Sequence, residues 1–271
     1  MDNRAIGVFD SGLGGLTAVH ALRRLLPEED VVYFGDTGRI PYGTRSAETI
    51  IKYARQDLRF LMDHQLKCVV VACGTVSSVA LPELRSMTDL PVLGVIRSTV
   101  DAAVQATDNG RIGVIGTNAT IRSGTYQRGL AEANASLTVV PKACPLLVSL
   151  VEDGRFLPGE RVAELLVEEY VTPLLEQGID TLILGCTHYP LMTQIFRNLC
   201  GGGVTLIDPG FETVRDLRRL LRKSDQLGGL GEQGLERYFV SDSTESFLQY
   251  AGMFLGGPVS GPVERIDIET F

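Results

Sequence analysis

The sequence predicts an α/β fold made of two similar domains, each built around a parallel β-sheet. The first observation is that short apolar segments alternate with amphipathic helical patterns over the whole chain, which is typical of α/β proteins. The second is the length of 271 residues, since a domain commonly takes roughly 150 residues and the chain has room for about two. The third is an internal repeat, in which two short segments of the first half reappear in the second.

Nine segments have the composition of β-strands, and several are continuous apolar runs, as expected of strands covered on both faces of a parallel sheet. In chain order the predicted strands are 5–9, 31–34, 68–72, 92–95, 111–115, 137–140, 181–184, 204–207 and 238–240. Apolar residues at helical spacing predict a helix over 161–177, which contains Pro173. Another helix is predicted to end at the glycine stop Gly201.

The internal repeat pairs the turns that follow matching strands. Segment 5–12 resembles 111–118, and 69–75 resembles 182–188. The second pair carries Cys73 and Cys186, each followed closely by a threonine. Two such halves facing each other would place both cysteines in one interdomain cleft with pseudo-two-fold symmetry. The alternative is chance similarity between strand–turn segments, which any α/β protein contains.

The composition argues against several classes of function. The formal net charge is −8, the pI is near 5.0 and there is no block of Lys or Arg, so nucleic acid and membrane surfaces are poor partners. Small molecules or other proteins are expected instead. No apolar run approaches the length needed to cross a bilayer. Five scattered cysteines and the lack of a visible secretory leader favour a reducing, cytoplasmic location.

The first segment that can carry chemistry is the glycine-rich stretch 10–15, directly after the first predicted strand. Its backbone N–H groups could hold an anion, but its spacing matches neither the dinucleotide fingerprint nor the P-loop. Asp10 ends a strand, where α/β folds bind ligands. The alternative is that Asp10 or Ser11 caps a helix beginning near Gly12.

Cys73 and Cys186 each follow the apolar part of a strand and precede a helical stretch. A helix N-terminus stabilises a thiolate, so we expect these thiols to have a pKa below roughly 8.5. Matched positions in the two halves favour a functional role, whereas Cys68, Cys144 and Cys200 are interpreted as small buried side chains.

His188 lies two residues after Cys186 and is a candidate proton partner or substrate-orienting group; a helix-capping contact is the alternative. No second histidine or close acid completes a ligand set, so no metal site is predicted. The loop 39–44 offers backbone N–H groups and the Tyr42 hydroxyl to a carboxylate, or is an ordinary turn. Glu152 belongs to an acidic stretch that is either solvated surface or an acid at the cleft mouth.

Taken together and in order, these segments resemble the glutamate racemases of the cofactor-independent aspartate/glutamate racemase superfamily. No single segment is specific, but together they extend over nearly the whole chain. The matching segments are 7–15, 41–43, 72–75, 112–117, 143–146, 184–190 and 240–242.

The resemblance implies two α/β domains, 1–96 plus 210–271 and 97–209, with the active site between them. It implies Cys73 and Cys186 as the acid/base pair, Asp10 and His188 at proton-transfer positions, and Glu152 as a supporting acid. The substrate, glutamate, would be bound by Asp10, Ser11, Pro41, Tyr42, Gly43, Gly74, Thr75, Thr117, Thr187 and His188. The implied role is to make D-glutamate for peptidoglycan, as a homodimer.

Inversion at Cα requires removal of a proton from one face of the carbon and delivery of another to the opposite face. We expect one cysteine to act as thiolate base and the other as thiol acid, assisted by Asp10 at Cys73 and His188 at Cys186. Pyridoxal phosphate would need a lysine, and none of the four lysines lies at a matched site. Catalysis without a cofactor is therefore predicted.

Several alternatives remain open. The same thiols would serve an aspartate racemase or a related decarboxylase, while an inactive member would act as a regulatory binding protein. A cysteine hydrolase would need one essential cysteine and a histidine. Two departures bear on substrate identity and efficiency: Gly74 stands where the family usually has Asn, and Arg97-Ser98 stands where it often has Glu-Pro.

Overall fold

Ten β-strands form two separate parallel sheets in the computed structural model, which describes residues 2–228, 231 and 233–271. The strands are β1 (Ala5–Asp10), β2 (Val31–Gly35), β3 (Leu66–Val71), β4 (Val92–Gly94), β5 (Arg111–Gly116), β6 (Thr138–Ala143), β7 (Thr181–Leu184), β8 (Thr205–Ile207), β9 (Glu236–Val240) and β10 (Val263–Arg265). A six-stranded sheet has the order β10-β9-β2-β1-β3-β4, and a four-stranded sheet has the order β6-β5-β7-β8. We call the parts of the chain around these sheets the first and the second domain.

Helices connect the strands and cover both faces of the sheets. They are α1 (Leu16–Leu25), α2 (Ala47–Met62), α3 (Gly74–Val79), α4 (Leu81–Ser86), α5 (Val95–Ala106), α6 (Asn118–Ser123), α7 (Thr125–Ala133), α8 (Leu146–Glu152), α9 (Arg161–Leu175), α10 (Thr193–Cys200), α11 (Pro209–Lys223) and α12 (Thr244–Leu255). Short 3-10 helices occupy Tyr42–Thr44, Tyr189–Met192, Gly201–Gly203 and Ile268–Thr270. Within the described ranges, every helix is too short or too polar to traverse a bilayer.

The two sheets share one topology. In the first domain β2-β1-β3-β4 are neighbours, and in the second β6-β5-β7-β8 are neighbours in the corresponding order. Each strand of the repeat therefore has a counterpart: β1 with β5, and β3 with β7. This correspondence confirms the predicted α/β fold of two similar parallel-sheet domains. The first domain is larger because β9 and β10, from the C-terminal part of the chain, extend its sheet.

All nine predicted strands are present, with ends that differ by a few residues. β3 begins at Leu66, two residues before the predicted start. The prediction excluded Lys67 as a charged residue, but Lys67 is buried in the structure and paired with Glu29. β10 was not predicted. It is a three-residue edge strand whose Glu264 and Arg265 are exposed, so it lacks the apolar run that marks the other strands.

The ends predicted for α9 and α10 agree with the structure to within two residues. α9 covers Arg161–Leu175 and contains Pro173 in its last turn. α10 ends at Cys200, and Gly201 has φ 65°, a positive value that glycine adopts without strain, so the predicted glycine stop is confirmed.

The domain boundaries stay a prediction. The junction at 96/97 falls in the first turn of α5, and the junction at 209/210 falls at the first residue of α11. α11 packs against α5 on one side and against α1 of the first domain on the other, so α5 and α11 lie along the junction between the sheets. Asp208 fixes the start of α11 by accepting hydrogen bonds from the N–H groups of Gly210 and Phe211.

Candidate active site between the two domains

A cavity of about 360 Å³ lies between the two domains, at the carboxyl ends of their central strands. This is the edge at which parallel α/β sheets bind ligands. The first domain contributes Ser11, Gly12, Ile40, Pro41, Tyr42, Gly43, Thr44, Cys73, Gly74 and Thr75. The second contributes Thr117, Asn118, Pro145, Leu146, Val148, Ser149, Glu152, Gly185, Cys186, Thr187 and His188. Every predicted site residue except Asp10 therefore lines this cavity.

Cys73 follows β3 and caps the N-terminus of α3. Its sulfur accepts from the backbone N–H of Val76 at 3.5 Å and donates to the Ser11 hydroxyl at 3.3 Å. Burial raises the pKa of the Cys73 thiol to about 12, and the charge of nearby Asp10 adds to this effect. The expected lowered pKa is therefore wrong for Cys73, because one short helix offsets too little of the cost of removing a thiolate from water.

Cys186 lies at the matching position after β7 and contacts His188. Its sulfur is 3.7 Å from Nδ1 of His188, and Nε2 of the same ring is 3.2 Å from Oε1 of Glu152. Burial alone would lower the pKa of His188, but the hydrogen bonds to Cys186 and Glu152 outweigh it and raise the pKa to about 10. The three side chains form a chain of contacts from the cavity to the end of α8, and the imidazole is protonated at neutral pH.

Asp10 is fully buried behind the cavity wall rather than part of it. Its Oδ2 accepts from the N–H of Gly12 at 3.0 Å, while no described residue bonds to its Oδ1. Burial raises the pKa of Asp10, against the charge of His188 and the surrounding backbone donors. The capping alternative is wrong, because α1 begins at Leu16 and its N-cap is Gly15.

The wall formed by Pro41, Tyr42 and Gly43 is held by a buried polar cluster. The Tyr42 hydroxyl donates to Asp36 and also contacts Asp57 at 3.2 Å. Arg39 bridges the same two carboxyl groups, at 2.7 Å from Asp36 and 3.0 Å from Asp57. The expectation that the Tyr42 hydroxyl holds a substrate carboxylate is therefore wrong for this conformation, since that hydroxyl is engaged inside the protein.

The two domains touch directly around the cavity. Oγ1 of Thr75 is 3.0 Å from Oγ1 of Thr117. A Cβ atom built on Gly74 would lie 2.7 Å from the carbonyl oxygen of Gly185, and one built on Gly43 would lie 2.9 Å from Thr117. Gly43 and Gly74 therefore permit the two domains to approach more closely than larger residues would allow.

Some lining residues were missed by the sequence analysis. Asn118 and Ser149 are polar and line the cavity, but each lies on a short helix whose position depends on packing. Pro145 and Leu146 fell within the resembling segments without being assigned a role. Arg97, one of the two departures, lies outside the cavity, largely exposed and paired with Asp101.

The site offers donors of hydrogen bonds but little positive charge. Among the described residues that line the cavity there is no lysine or arginine, and His188 is the one side chain that carries a proton as a cation. Across residues 2–228, 231 and 233–271 no group of three His, Cys, Asp or Glu side chains is arranged to hold a metal ion.

The sequence profile of the Asp/Glu/hydantoin racemase family matches residues 16–217. The glutamate racemase of Geobacter metallireducens is 43% identical over 267 residues, which cover 98% of each chain. That of Streptococcus gordonii is 43% identical over 269 residues, 99% of this chain and 100% of the relative.

Two solved structures that are similar to this chain are also glutamate racemases. A glutamate racemase isoform from Bacillus anthracis superimposes with a TM-score of 0.93 at 38% identity, over 98% of each chain. The glutamate racemase of Francisella tularensis, in complex with D-glutamate, gives a TM-score of 0.92 at 36% identity over the full length of both chains. The chain therefore belongs to the Asp/Glu/hydantoin racemase family, among its glutamate racemases.

Proposed function

We propose that this protein is a glutamate racemase that interconverts L- and D-glutamate without a cofactor and supplies D-glutamate for peptidoglycan. One observation carries the proposal: two buried cysteines occupy equivalent positions after β3 and β7 and line the same interdomain cavity. Its family membership and the D-glutamate complex of the Francisella tularensis relative support the choice of substrate.

The reaction follows from the placement of the thiols on walls contributed by different domains. One sulfur, as thiolate, takes the Cα proton from one face of glutamate, and the other, as thiol, donates a proton to the opposite face. The reverse direction exchanges the two roles. Each turnover therefore leaves the two cysteines with their protonation states exchanged.

The two sulfurs have different surroundings. Burial and the Asp10 charge keep Cys73 in the thiol form, since its pKa is about 12. The protonated His188, 3.7 Å from the Cys186 sulfur, stabilises a negative charge there. We infer that Cys73 is poised as the acid in the resting protein.

The carbanionic transition state needs electrostatic stabilisation, because the Cα–H bond of an amino acid is very weakly acidic. The His188 imidazolium and the backbone N–H groups at the cavity wall can supply part of it. The substrate's own ammonium group stabilises the developing charge further. Asp10 behind Cys73 and Glu152 behind His188 are placed to support these proton transfers rather than to perform them.

The decisive measurement is exchange of the Cα proton with solvent. We expect purified protein in D₂O to incorporate deuterium at Cα of both L- and D-glutamate, as observed by proton NMR, with no added cofactor. Cys73→Ala and Cys186→Ala should each lower racemisation by at least about a thousandfold. Cys200→Ala, outside the cavity, should retain full activity.

Two outcomes would overturn the proposal: full racemisation in either cavity variant, or no exchange with glutamate in the wild-type protein. Parallel assays with L- and D-aspartate separate a glutamate racemase from an aspartate racemase. Exchange with aspartate but not with glutamate would show that the protein is an aspartate racemase that uses the same two thiols.

The homodimer and the cytoplasmic location remain predictions. All five cysteines are free in the structure, as expected of a reducing compartment. Light scattering on the eluting protein would test the dimer, for which twice the chain mass of 29.4 kDa is expected.

A further inference from the structure

Glutamate presents two carboxylates to a cavity that contains little positive charge. Glu152 lines its wall, and the carboxyl group of Asp10 is buried behind it. Recognition of the carboxylates therefore depends on neutral N–H and O–H donors. Hydrogen bonds from such donors to a carboxylate are stronger than those between neutral groups.

Most side-chain donors in the cavity are already engaged. The Tyr42 hydroxyl donates to Asp36, and the Thr44 hydroxyl contacts the carbonyl of Pro41 at 3.4 Å. The hydroxyls of Thr75 and Thr117 bond to each other. Both ring nitrogens of His188 have partners on the protein.

The turn after Cys73 has no side chain to offer at position 74. A Cβ atom on Gly74 would lie 2.7 Å from the Gly185 carbonyl oxygen, so this position contributes only backbone to the cavity. Any side-chain amide must come from another element.

Asn118 has the one side-chain amide among the described residues that line the cavity. It is half-buried at the first position of α6, next to Thr117, and its amide forms no hydrogen bond with any residue of the described ranges. Its two N–H donors are therefore free for a ligand. Of the remaining hydroxyl groups there, Ser11 accepts from the Cys73 thiol, Thr187 contacts Nδ1 of His188, and Ser149 is exposed and unpaired within the described ranges.

We propose that Asn118 is a substrate-binding residue of this chain, whose side-chain amide donates a hydrogen bond to a carboxylate of glutamate. The inference rests on the proposed racemisation of glutamate and adds a specific residue to it. Because the amide serves substrate and transition state alike, its loss should weaken binding more than it slows the chemical step.

The test compares Asn118→Ala and Asn118→Asp with the wild-type protein. We expect Asn118→Ala to raise KM for both enantiomers about tenfold, with kcat changed by less than about threefold. Asn118→Asp should raise KM further, since it directs a negative charge at a carboxylate. Calorimetry of D-glutamate binding should show matching changes in Kd.

The aspartate variant separates binding from a structural role. An acid in the first turn favours a helix, so Asn118→Asp would preserve α6 and its activity if Asn118 only supported the fold. Asn198→Ala, an exposed amide on α10, is the matched control and should leave KM unchanged.

Wild-type KM and Kd in Asn118→Ala would overturn the inference, as would an Asn118→Asp variant that binds as tightly as the alanine variant. Absence of glutamate racemisation in the wild-type protein would instead count against the proposed function. The two failures are therefore distinguishable.

Discussion

His188 experiences two opposing effects on its protonation. Burial disfavours the imidazolium, while the contacts with Cys186 and Glu152 favour it, and the balance raises the pKa of His188 to about 10. Glu152 is the partner that lies away from the reacting carbon, because it contacts Nε2 whereas Cys186 lies at Nδ1. The effect of Glu152 on the protonation of His188 can therefore be tested in a variant that keeps Cys186.

Replacement Glu152→Gln should move the alkaline limit of activity to lower pH. The glutamine retains a hydrogen-bonding side chain but removes the charge that raises the pKa of His188. The imidazolium should then be lost about one to two pH units earlier. The measurement is kcat/KM for glutamate as a function of pH, with Asp153→Asn, an exposed neighbour, as control. An alkaline limb that does not move in Glu152→Gln would contradict this account of His188.

The roles of residues could be predicted from the internal repeat of the sequence. Properties that depend on tertiary packing, such as a pKa or the direction of a side chain, could not. Cys73 and Cys186 could be paired because their strands and turns recur in both halves. The pKa of Cys73 could not be predicted, since it depends on burial by elements distant in sequence. The direction of the Tyr42 hydroxyl was equally hidden, because Asp57 is on α2 and nothing in the loop sequence indicates that contact.

At the scale of elements, α2 and the loop before it form one unit with the cavity wall. Asp57 of α2 is fully buried, and burial together with the nearby Asp36 carboxylate raises its pKa well above the usual value, against the opposing charge of Arg39. Asp36 and Asp57 share a single guanidinium. A single positive charge beside two buried carboxyl groups favours a protonated Asp57.

This arrangement predicts different effects for two substitutions of Asp57. Because the folded-state pKa of Asp57 is raised, its contribution to stability is complete below about pH 4 and declines as pH rises toward that pKa. Asp57→Asn mimics the protonated acid, so its melting temperature should depend less on pH in this range. Asp57→Ala leaves Arg39 and Tyr42 with Asp36 but without their second carboxyl partner, and it should lower the free energy of unfolding by about 3 kcal/mol.

Melting curves followed by circular dichroism between pH 5 and pH 9 would provide the comparison. Equal destabilisation in both variants at all pH values would mean that Asp57 is charged in the folded protein. The alanine variant should also raise KM, because the Pro41–Gly43 wall loses its support.

Element boundaries followed from sequence wherever the chain has long apolar runs or a glycine stop. β1 and β7 were found because their residues are wholly buried, and the end of α10 because Gly201 takes a positive φ. β10 escaped because an edge strand need not be apolar. The start of α1 was placed too early, since Asp10 binds the loop at Gly12 instead of capping the helix.

At the scale of the whole molecule, the two domains meet at the turns that carry the cysteines. Gly74 follows Cys73 and lies against Gly185, the residue before Cys186. The internal repeat predicted that these turns would face one another. It did not predict how closely they approach, because that distance depends on the packing of α5 and α11 along the junction.

The substitution Gly74→Ala should disturb the spacing of the two domains and thereby the reaction. Its Cβ would lie 2.7 Å from the backbone oxygen of Gly185, and a contact with backbone is not relieved by rotation of a side chain. One turn must shift or the domains must separate, and the cysteines then lose their alignment with the substrate carbon. We expect kcat/KM to fall about tenfold to a hundredfold in both directions.

Gly202→Ala, with no atom within 4 Å of the added methyl group, is the control and should behave as wild type. Wild-type kinetics in Gly74→Ala would show that the working enzyme holds its domains farther apart than this structure does.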